Sequence, residues 1–331
     1  MMKSNFKIID TEDSTTDFKK IAIKNFDEYL SLIKQLKSDN NNLWFRGQFD
    51  CSYRLTPGIL RNNVFQITDP YGIEIEPTLG YRDSSYGGKV TFVNHNNMIN
   101  EFKTYAKEYL SIKPKNDFEW MFLAQHYGIP TMLLDWTTDP LVALFFAVNE
   151  NIDSKEIVSI NRAIEDFEKN SFSNLGAAVF IMDPRKINEL IAMYKYHTYE
   201  PLEISNHYDE FKGYIYPTTE DNFLTPICIK SNIVDKRICR QSGNFTIHGV
   251  NIWPLDYYQI VQKNMYKVFI PYKCFEEIKE WLNSLDINKK SIYGSSDLDK
   301  ISKDIKNNET INFYTNIEKI KEKYKDKNNI I

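Results

Sequence analysis

The sequence lacks the features that mark membrane-embedded, secreted and strongly basic proteins. No uninterrupted apolar run reaches the roughly 18 residues that a membrane-spanning helix requires. The N-terminal stretch MMKSNFKIIDTEDSTTDFKK has no apolar segment of the kind that a secretory signal carries. Because 41 Lys and Arg residues stand against 45 Asp and Glu residues, the overall charge provides no bulk attraction to nucleic acid. We therefore expect no membrane partner.

Clustered cysteines and clustered metal ligands are also absent. The four cysteines are Cys51, Cys228, Cys239 and Cys274. None is paired at CxxC spacing, which argues against a zinc knuckle and favours reduced thiols in a cytoplasmic protein. The histidines are isolated in the sequence, and no His, Asp or Glu cluster has ligand spacing, so we expect no metal site.

The residues that are present describe a globular protein rich in aromatic side chains. Its 331 residues are 42 % apolar and include 21 Tyr and 21 Phe, enough for one large domain or two modest ones. No internal repeat is evident. We divide the chain into an N-terminal extension (1–24), a main domain (25–290) and a C-terminal helix with a lysine-rich tail (291–331). A long polar insert (62–99) interrupts the main domain, and loops of this length are often lids or specificity elements.

The most informative stretch is residues 125–147, which read QHYGIPTMLLDWTTDPLVALFFA. A helix ends near Gly128, an apolar strand follows at Thr131–Leu134, and the polar group DWTT precedes a second helix. Asp139 suits the N-cap of that helix and Pro140 its first position. The strand therefore delivers a carboxylate, an indole and two hydroxyls to a helix N-terminus, where free N–H groups favour an anionic ligand. A capped structural turn explains the same residues equally well.

A second informative feature is the arginine within the apolar strand Leu43–Gly47, LWFRG. Burying a guanidinium costs several kcal/mol unless it is paired, so we expect Arg46 to have an anionic partner. That partner is either a ligand or a core acid such as Asp135. Gly47 suits a close approach of another backbone segment.

The pattern of apolar positions predicts an α+β fold, with a mixed, mostly antiparallel split sheet and flanking helices. The strands predicted for the sheet are Leu43–Gly47, Thr131–Leu134, Ala177–Met182, Phe245–His248 and Tyr266–Pro271. The predicted helices include Phe26–Leu36, Phe102–Leu110, Asp117–Tyr127, Ile187–Tyr196, a charged helical insert within Ile152–Ser173 and a short last helix, Ser295–Ile305. We expect the residues after Thr315 to be solvated and frayed.

A third motif, RICRQSGNFTIH, occupies Arg237–His248. Together with FRG at Phe45–Gly47 and the central stretch, it resembles the FRG-domain family over roughly Leu43–Leu285. Some members of that family look like toxin components of bacterial anti-phage or toxin–antitoxin systems. The resemblance therefore implies a toxin or defence effector, with a neutralising antitoxin as a partner.

A more distant similarity connects the motifs to ADP-ribosyltransferases. Those enzymes carry an Arg-Gly or related pair on one strand, then a strand with small hydroxyl residues that leads into an alanine-containing helix. Arg46–Gly47, the DWTT group and Ala143 resemble these features in order and context. The similarity implies an ADP-ribosyltransferase-like fold, NAD as the substrate, and RNA (mRNA), DNA or protein as the acceptor.

The same similarity implies roles for individual residues. Arg46 clamps a phosphate or the nicotinamide ribose, Gln241 orients the 2′-hydroxyl, Asp135 supplies a carboxylate and His126 acts as a base toward the acceptor. Main-chain N–H groups near Asp139–Leu141 bind the cofactor together with Thr137. The full set of expected cofactor-binding residues is Phe45, Gly47, Gln48, Tyr127, Trp136, Thr137 and Thr138.

The third motif departs from the ADP-ribosyltransferase pattern. Those enzymes carry a catalytic glutamate there, whereas this sequence has Gln241 followed by Ser-Gly-Asn-Phe, without an acid. Two other functions therefore stay open. A ligand-sensing or interaction module that has lost catalysis agrees with the missing glutamate. A hydrolase or nuclease built on His126, Asp135 and Gln241 would lack a visible metal-ligand cluster.

Overall fold

The computed structural model describes residues 6–9, 16–61, 63–65, 81–83, 89–93, 95–110, 113–191, 199–216, 225–231, 236–241, 243–249 and 254–325. The strands are β1 (Lys7–Ile9), β2 (Lys19–Ala22), β3 (Trp44–Gln48), β4 (Asn63–Phe65), β5 (Tyr81–Asp83), β6 (Lys89–Phe92), β7 (Leu133–Thr137), β8 (Gly176–Met182), β9 (Leu202–Glu203), β10 (Ile227–Lys230), β11 (Gly243–Ile247) and β12 (Met265–Pro271). The longer helices are α1 (Phe26–Asp39), α2 (His95–Ala106), α3 (Asp117–His126), α4 (Pro140–Val148), α5 (Ile160–Lys169) and α6 (Pro184–Ile191). Further along the chain are α7 (Tyr208–Phe211), α8 (Lys236–Gln241), α9 (Gln259–Lys263), α10 (Phe275–Ser284), α11 (Lys289–Tyr293) and α12 (Leu298–Lys325).

The main sheet is mixed and mostly antiparallel, as the sequence predicted. Within the described residues its strand order is β1-β2-β12-β8-β3-β7-β11-β10-β9. The pairs β2–β12 and β9–β10 are parallel, and the other neighbours are antiparallel. The strands β4, β6 and β5 form a separate small antiparallel sheet within the insert. The fold is therefore α+β with a mixed sheet and flanking helices.

The sheet splits between β3 and β7. The strand β3 pairs with β8 along its whole length, from Trp44↔Met182 to Gln48↔Ala178. Toward β7, in contrast, it is paired through Phe45↔Thr137 alone. On the far side of the split, β7 is again fully paired, with β11. The two halves of the sheet therefore diverge next to Arg46, and this divergence leaves room for a cleft.

Both faces of the central strands are covered by helices. Every residue of β8 is buried. Its alternate side chains belong to two separate apolar clusters, one with α1, α4 and α10 and the other with α5 and α6. A third cluster joins α2, α3 and α12 to β10 and β11. This third cluster forms the wall of the cleft on the β7–β11 side.

Gly47 lets α4 lie directly on β3. A Cβ atom at this position would lie 2.0 Å from the main-chain oxygen of Ala143 and 2.6 Å from the main-chain nitrogen of Ala147. Any side chain larger than hydrogen would therefore collide with the helix backbone. The close approach predicted for Gly47, Ala143 and Ala147 is confirmed. It also means that the glycine of the FRG tripeptide has a packing role.

The strand before α4 is placed differently from the prediction. It was expected at Thr131–Leu134, but β7 is Leu133–Thr137. The Thr131 hydroxyl accepts a hydrogen bond from the main-chain N–H of Leu133 and holds a local turn instead. Asp135, Trp136 and Thr137 belong to the strand because they pair with Phe245, Asn244 and Gly243 of β11.

The ends of the chain are more integrated than expected. Residues 19–22, assigned to an N-terminal extension, pair with β12 in the main sheet. The last helix was predicted to be short, but α12 extends to Lys325. Its buried residues Leu298, Ile305, Phe313 and Ile317 pack in the third cluster. These apolar positions stabilise the helix even where the sequence between them is rich in lysine.

Other boundaries shift by a few residues. The helix predicted at Phe102–Leu110 is α2, His95–Ala106, and the helix within the charged insert is limited to α5. The helix predicted at Ile187–Tyr196 begins at Pro184 and is observed to Ile191, and residues 192–198 lie outside the described part of the chain.

Cys51, Cys228 and Cys274 are buried free thiols. Among the described helices, none combines the length and the apolarity needed to span a membrane.

Candidate functional site

A cavity of about 310 Å³ opens at the split between β3 and β7. The residues that line it are Phe45, Arg46, Gly47, Gln125, His126, Tyr127, Gly128, Asp135, Trp136, Thr137, Phe146, Arg237, Gln241, Gly243 and Tyr293. They come from all three sequence motifs and from the C-terminal region. The four residues predicted to be catalytic therefore meet in one cavity, together with Phe45, Gly47, Tyr127, Trp136 and Thr137 from the predicted binding set. Gln48 and Thr138 lie outside it.

Arg46 crosses the split in the sheet. Its Nη1 donates a hydrogen bond of 2.8 Å to the main-chain oxygen of Asp135 and lies 3.6 Å from Oδ2 of the same residue. Its Nε is buried and has no hydrogen-bond partner among the described residues. The pKa of Arg46 is lowered to about 10, chiefly by burial and also by the positive charge of Arg61, while Asp135 acts in the opposite direction. The guanidinium is therefore charged at neutral pH, and the core acid anticipated as its partner is present.

A short chain of hydrogen bonds orients the Asp135 carboxylate. Thr131 Oγ1 donates to Gln125 Oε1 over 2.7 Å, and Gln125 Nε2 donates to Asp135 Oδ2 over 2.8 Å. The Asp135 side chain remains 42 % exposed, whereas that of Arg46 is 11 % exposed. The carboxylate is thus fixed by α3 and β3 while it still faces the opening of the cleft. Gln125 was not assigned a role from the sequence, although it begins the central motif.

His126 and Gln241 bind each other. The Nδ1 of His126 lies 2.9 Å from Oε1 of Gln241, and both side chains are buried. In this pairing the ring N–H donates to the amide oxygen. The His126 ring also packs edge-on against Phe245, with centroids 5.5 Å apart. The interaction positions the Gln241 amide at the cavity wall and gives His126 a structural contact, beside the role as a base that the sequence suggested.

The aromatic residues expected to stack on a ligand are mostly part of the core. Phe45 is fully buried in the cluster beneath α4. Trp136 is 2 % exposed, and its indole N–H donates to Thr246 Oγ1 over 3.2 Å. Both residues line the cavity, although most of each side chain is enclosed by the core. Tyr127, at the end of α3, packs against an arginine instead.

The N-terminus of α4 is closed by its own cap. The Asp139 carboxylate accepts hydrogen bonds from the N–H groups of Leu141 and Val142, and Thr137 Oγ1 accepts from the N–H of Asp139. Pro140 has no N–H to offer. The N-cap and first-position assignments are therefore confirmed. The N–H groups of Asp139, Leu141 and Val142 are thus bonded within the protein, whereas the Thr137 hydroxyl only accepts here, can still donate, and lines the cavity.

Gln48 and Thr138 have other surroundings. The Gln48 side chain is buried, and its Nε2 donates to the main-chain oxygen of Arg54 over 3.3 Å. Thr138 is exposed on the loop before α4. Neither residue is among those that line the cavity.

Arg237 and Tyr293 also line the cavity and, like Gln125, carried no assigned role from the sequence. Arg237 belongs to the third motif, but the sequence alone did not separate it from the solvated arginines around it. Tyr293 lies on α11, far from any motif, and no local signal marks it. Both are brought to the cleft by the packing of the C-terminal helices. Among the described residues, no group of His, Cys, Asp and Glu side chains is arranged to hold a metal ion.

The fold and the site together define an α+β protein with a ligand-sized cleft at a split in its sheet. Residues 41–156 match the family model described as the FRG domain. The chain therefore carries an FRG domain, and the predicted family is confirmed. The match covers the first two motifs, whereas Arg237, Gln241 and Tyr293 lie beyond it. No curated protein and no solved structure gives a significant match to the chain.

Proposed function

We propose that the protein is an ADP-ribosyltransferase that uses NAD as its substrate. The observation that carries the proposal is the convergence of Arg46, Asp135 and Gln241, from three separated motifs, on one open cavity. A volume of about 310 Å³ is at the lower end of the range of roughly 300–1,000 Å³ for ligand sites. It suits the nicotinamide-ribose half of the dinucleotide, with the remainder at the opening.

The reaction breaks the bond between ribose C1′ and the nicotinamide nitrogen, and the bonding electron pair leaves with nicotinamide. An acceptor nucleophile forms the new bond to C1′ and gives up a proton. Positive charge develops on the ribose in between, so a nearby carboxylate stabilises the transition state. Asp135 supplies the carboxylate among the described lining residues, and Gln125 and Arg46 hold its position.

The remaining site residues orient the sugar. Arg46 presents its guanidinium beside Asp135 at the cavity, where it can bind a hydroxyl or carbonyl oxygen of the nicotinamide riboside. Gln241, held by His126, offers its amide to the 2′-hydroxyl. A neutral amide stabilises positive charge less than a glutamate does, so Asp135 takes the larger share. His126 lines the same cavity and, in the role that the sequence suggested, takes the proton of the attacking group.

The acceptor and the cellular role belong to the same proposal. The toxin-like members of the FRG-domain family favour an intracellular effector that modifies mRNA, DNA or protein and is neutralised by an antitoxin. Expression of the wild-type chain is then expected to arrest growth. Expression of Arg46→Gln or Asp135→Asn is expected to leave growth unaffected, because each removes a group needed for transfer while keeping a side chain of similar size.

The test measures nicotinamide release from NAD and the appearance of ADP-ribose on RNA, DNA or protein by mass spectrometry. We expect Arg46→Gln and Asp135→Asn each to reduce both signals about 100-fold. Arg162→Gln is the matched control, because Arg162 lies on α5 with its side chain 70 % exposed. The proposal fails if wild-type protein transfers no ADP-ribose to any acceptor, or if both site variants keep wild-type rates.

A second candidate function is a ligand-binding module without catalysis. It is favoured by Gln241 in place of an acid and by the hydrogen bond that ties its amide to His126. Such a module would bind NAD, with a measurable rise in thermal stability, but would release no nicotinamide. Thermal unfolding with NAD, together with the nicotinamide-release assay, therefore separates the two candidate functions.

A further inference from the structure

A second guanidinium lines the cavity, from α8. Arg237 lies on α8, its side chain is 10 % exposed, and it lines the cavity together with Arg46. It is outside the region matched by the FRG-domain model. Two walls of one cavity therefore each carry an arginine, although they come from distant parts of the chain.

Two tyrosines and one acid contact the guanidinium of Arg237. Its Cζ lies 5.1 Å from the ring centroid of Tyr127 and 4.9 Å from that of Tyr293, distances at which a cation is attracted to an aromatic ring. Its Nη1 bonds to Asp299 Oδ1 on α12. The Tyr293 ring is itself packed edge-on against Phe146, with centroids 5.9 Å apart. The guanidinium is thus oriented before any ligand arrives.

The charges around the cavity favour an anion. Among the described lining residues, Arg46 and Arg237 stand against the single carboxylate of Asp135. The charge of Arg61 adds to that of Arg46, because it is close enough to lower the Arg46 pKa. Asp299 offsets part of the Arg237 charge. Arg46 and Arg237 are each about one-tenth exposed whereas their acids are 42 % exposed, so an anionic ligand inside the cavity can interact with both guanidinium groups.

The two arginines differ in what they are placed to bind. Arg46 is tied to Asp135, the carboxylate assigned to the reacting ribose. The N–H groups at the start of α4, often a phosphate site in other proteins, are occupied by Asp139. A guanidinium carries five N–H donors in a planar fork, so Arg237 can bind Asp299 and a phosphate group together.

We propose, resting on the proposed function, that Arg237 is the substrate-binding residue that holds the pyrophosphate of NAD. Its supports, Tyr293 and Asp299, lie in the C-terminal region, so this part of the chain completes the binding site. The site takes a ligand with a pyrophosphate group attached to the reacting nucleoside. Nicotinamide riboside, which has the reacting half but no phosphate, makes no use of Arg237.

The experiment is calorimetric titration of the full chain with three probes: NAD, nicotinamide riboside and inorganic pyrophosphate. Arg237→Gln is expected to weaken NAD and pyrophosphate about 10- to 100-fold, because a charge-assisted bidentate contact is lost. Affinity for nicotinamide riboside is expected to stay at the wild-type value. Arg237→Lys keeps the charge but loses the planar fork of donors, so its affinities for NAD and pyrophosphate are expected to lie between those of the wild type and those of Arg237→Gln.

Arg240→Gln is the matched control, since Arg240 is an exposed arginine on the same helix. Its affinities are expected to equal those of the wild type. Thermal unfolding of each variant shows whether the fold is retained. Asp299→Asn provides a second approach that leaves Arg237 in place, and it is expected to change pyrophosphate affinity without changing that of the riboside.

The outcomes separate this inference from the proposed function. If Arg237→Gln weakens NAD and nicotinamide riboside equally, or weakens neither, the inference is wrong while the proposed function stands. If the wild type binds pyrophosphate through Arg237 but does not bind NAD, the phosphate site is supported and the proposed function fails. If the wild type binds neither NAD nor pyrophosphate, both the inference and the proposed function are overturned.

Discussion

Replacing Gly47 by alanine tests whether the FRG glycine acts through packing. The added Cβ would lie 2.0 Å from the Ala143 oxygen and 2.6 Å from the Ala147 nitrogen, whereas ordinary contacts begin at 3.4 Å. Both neighbouring atoms belong to the backbone of α4, so neither can rotate away as a flexible side chain does. The helix and β3 must therefore separate by about 1.4 Å, the difference between 2.0 Å and 3.4 Å.

The cost of that separation follows from what α4 buries. The helix places Val142, Ala143, Leu144, Phe145, Ala147 and Val148 in the core. A radial gap of 0.5–1 Å already removes roughly a quarter to a half of the dispersion energy of each contact. Overpacked cores lose about 1–3 kcal/mol, and here the obstructing atoms are rigid. We expect Gly47→Ala to lower the free energy of unfolding by about 3 kcal/mol or more, a large part of the roughly 5–15 kcal/mol typical of domains.

Urea denaturation followed by tryptophan fluorescence measures the loss. The matched control is Gly58→Ala, because a Cβ there would lie 3.5 Å from Pro130, an ordinary contact distance. We expect the control to stay within about 0.5 kcal/mol of the wild type. Equal stability of the two variants would refute the packing argument. A destabilised Gly47→Ala would also explain loss of activity without any direct role of Gly47 in binding.

Three further predictions concern single positions. His248 is fully buried, and burial lowers its pKa to about 3 from 6.5, so the native ring stays neutral while the unfolded ring takes up a proton below pH 6.5. Stability is therefore lost as the pH falls, and the loss due to this residue between pH 7.5 and pH 5 is about 2 kcal/mol. Urea denaturation at the two pH values should show that this loss is absent in His248→Phe and present in the control variant His207→Gln. Asp139→Ala is expected to lower stability by about 1 kcal/mol and Asp139→Ser to restore most of it, measured by thermal unfolding, because serine can cap the same N–H groups. Gly294 has φ 67° and ψ −155°, a region nearly restricted to glycine, so Gly294→Ala is expected to cost about 1–3 kcal/mol in the same assay; an unchanged midpoint would contradict the strain.

The sequence was most reliable where a structural signal is local. The start of α4 was predicted correctly because Asp139 and Pro140 act within one turn of the helix. The close packing at Gly47 was anticipated because a glycine embedded in an apolar strand suits either a close backbone approach or a bend. The family was confirmed because two of its motifs are continuous stretches of the chain.

The sequence was least reliable where the signal depends on distant partners. Trp136 was assigned to a ligand, but its indole N–H bonds to Thr246, more than a hundred positions along the chain. The last helix was predicted too short because its stability comes from packing against α2 and not from local propensity.

The amino-acid sequence by itself determined the approximate positions of the main helices and strands, the capped entry to α4 and the identity of the residues that could form a polar site. Tertiary structure alone decided that Arg46 faces the Asp135 carboxylate, and that Arg237 and Tyr293 complete the cavity. Short-range hydrogen bonds and spacing govern the first group. The second depends on how two halves of a sheet diverge and how the C-terminal helices pack across the gap, which no local pattern encodes.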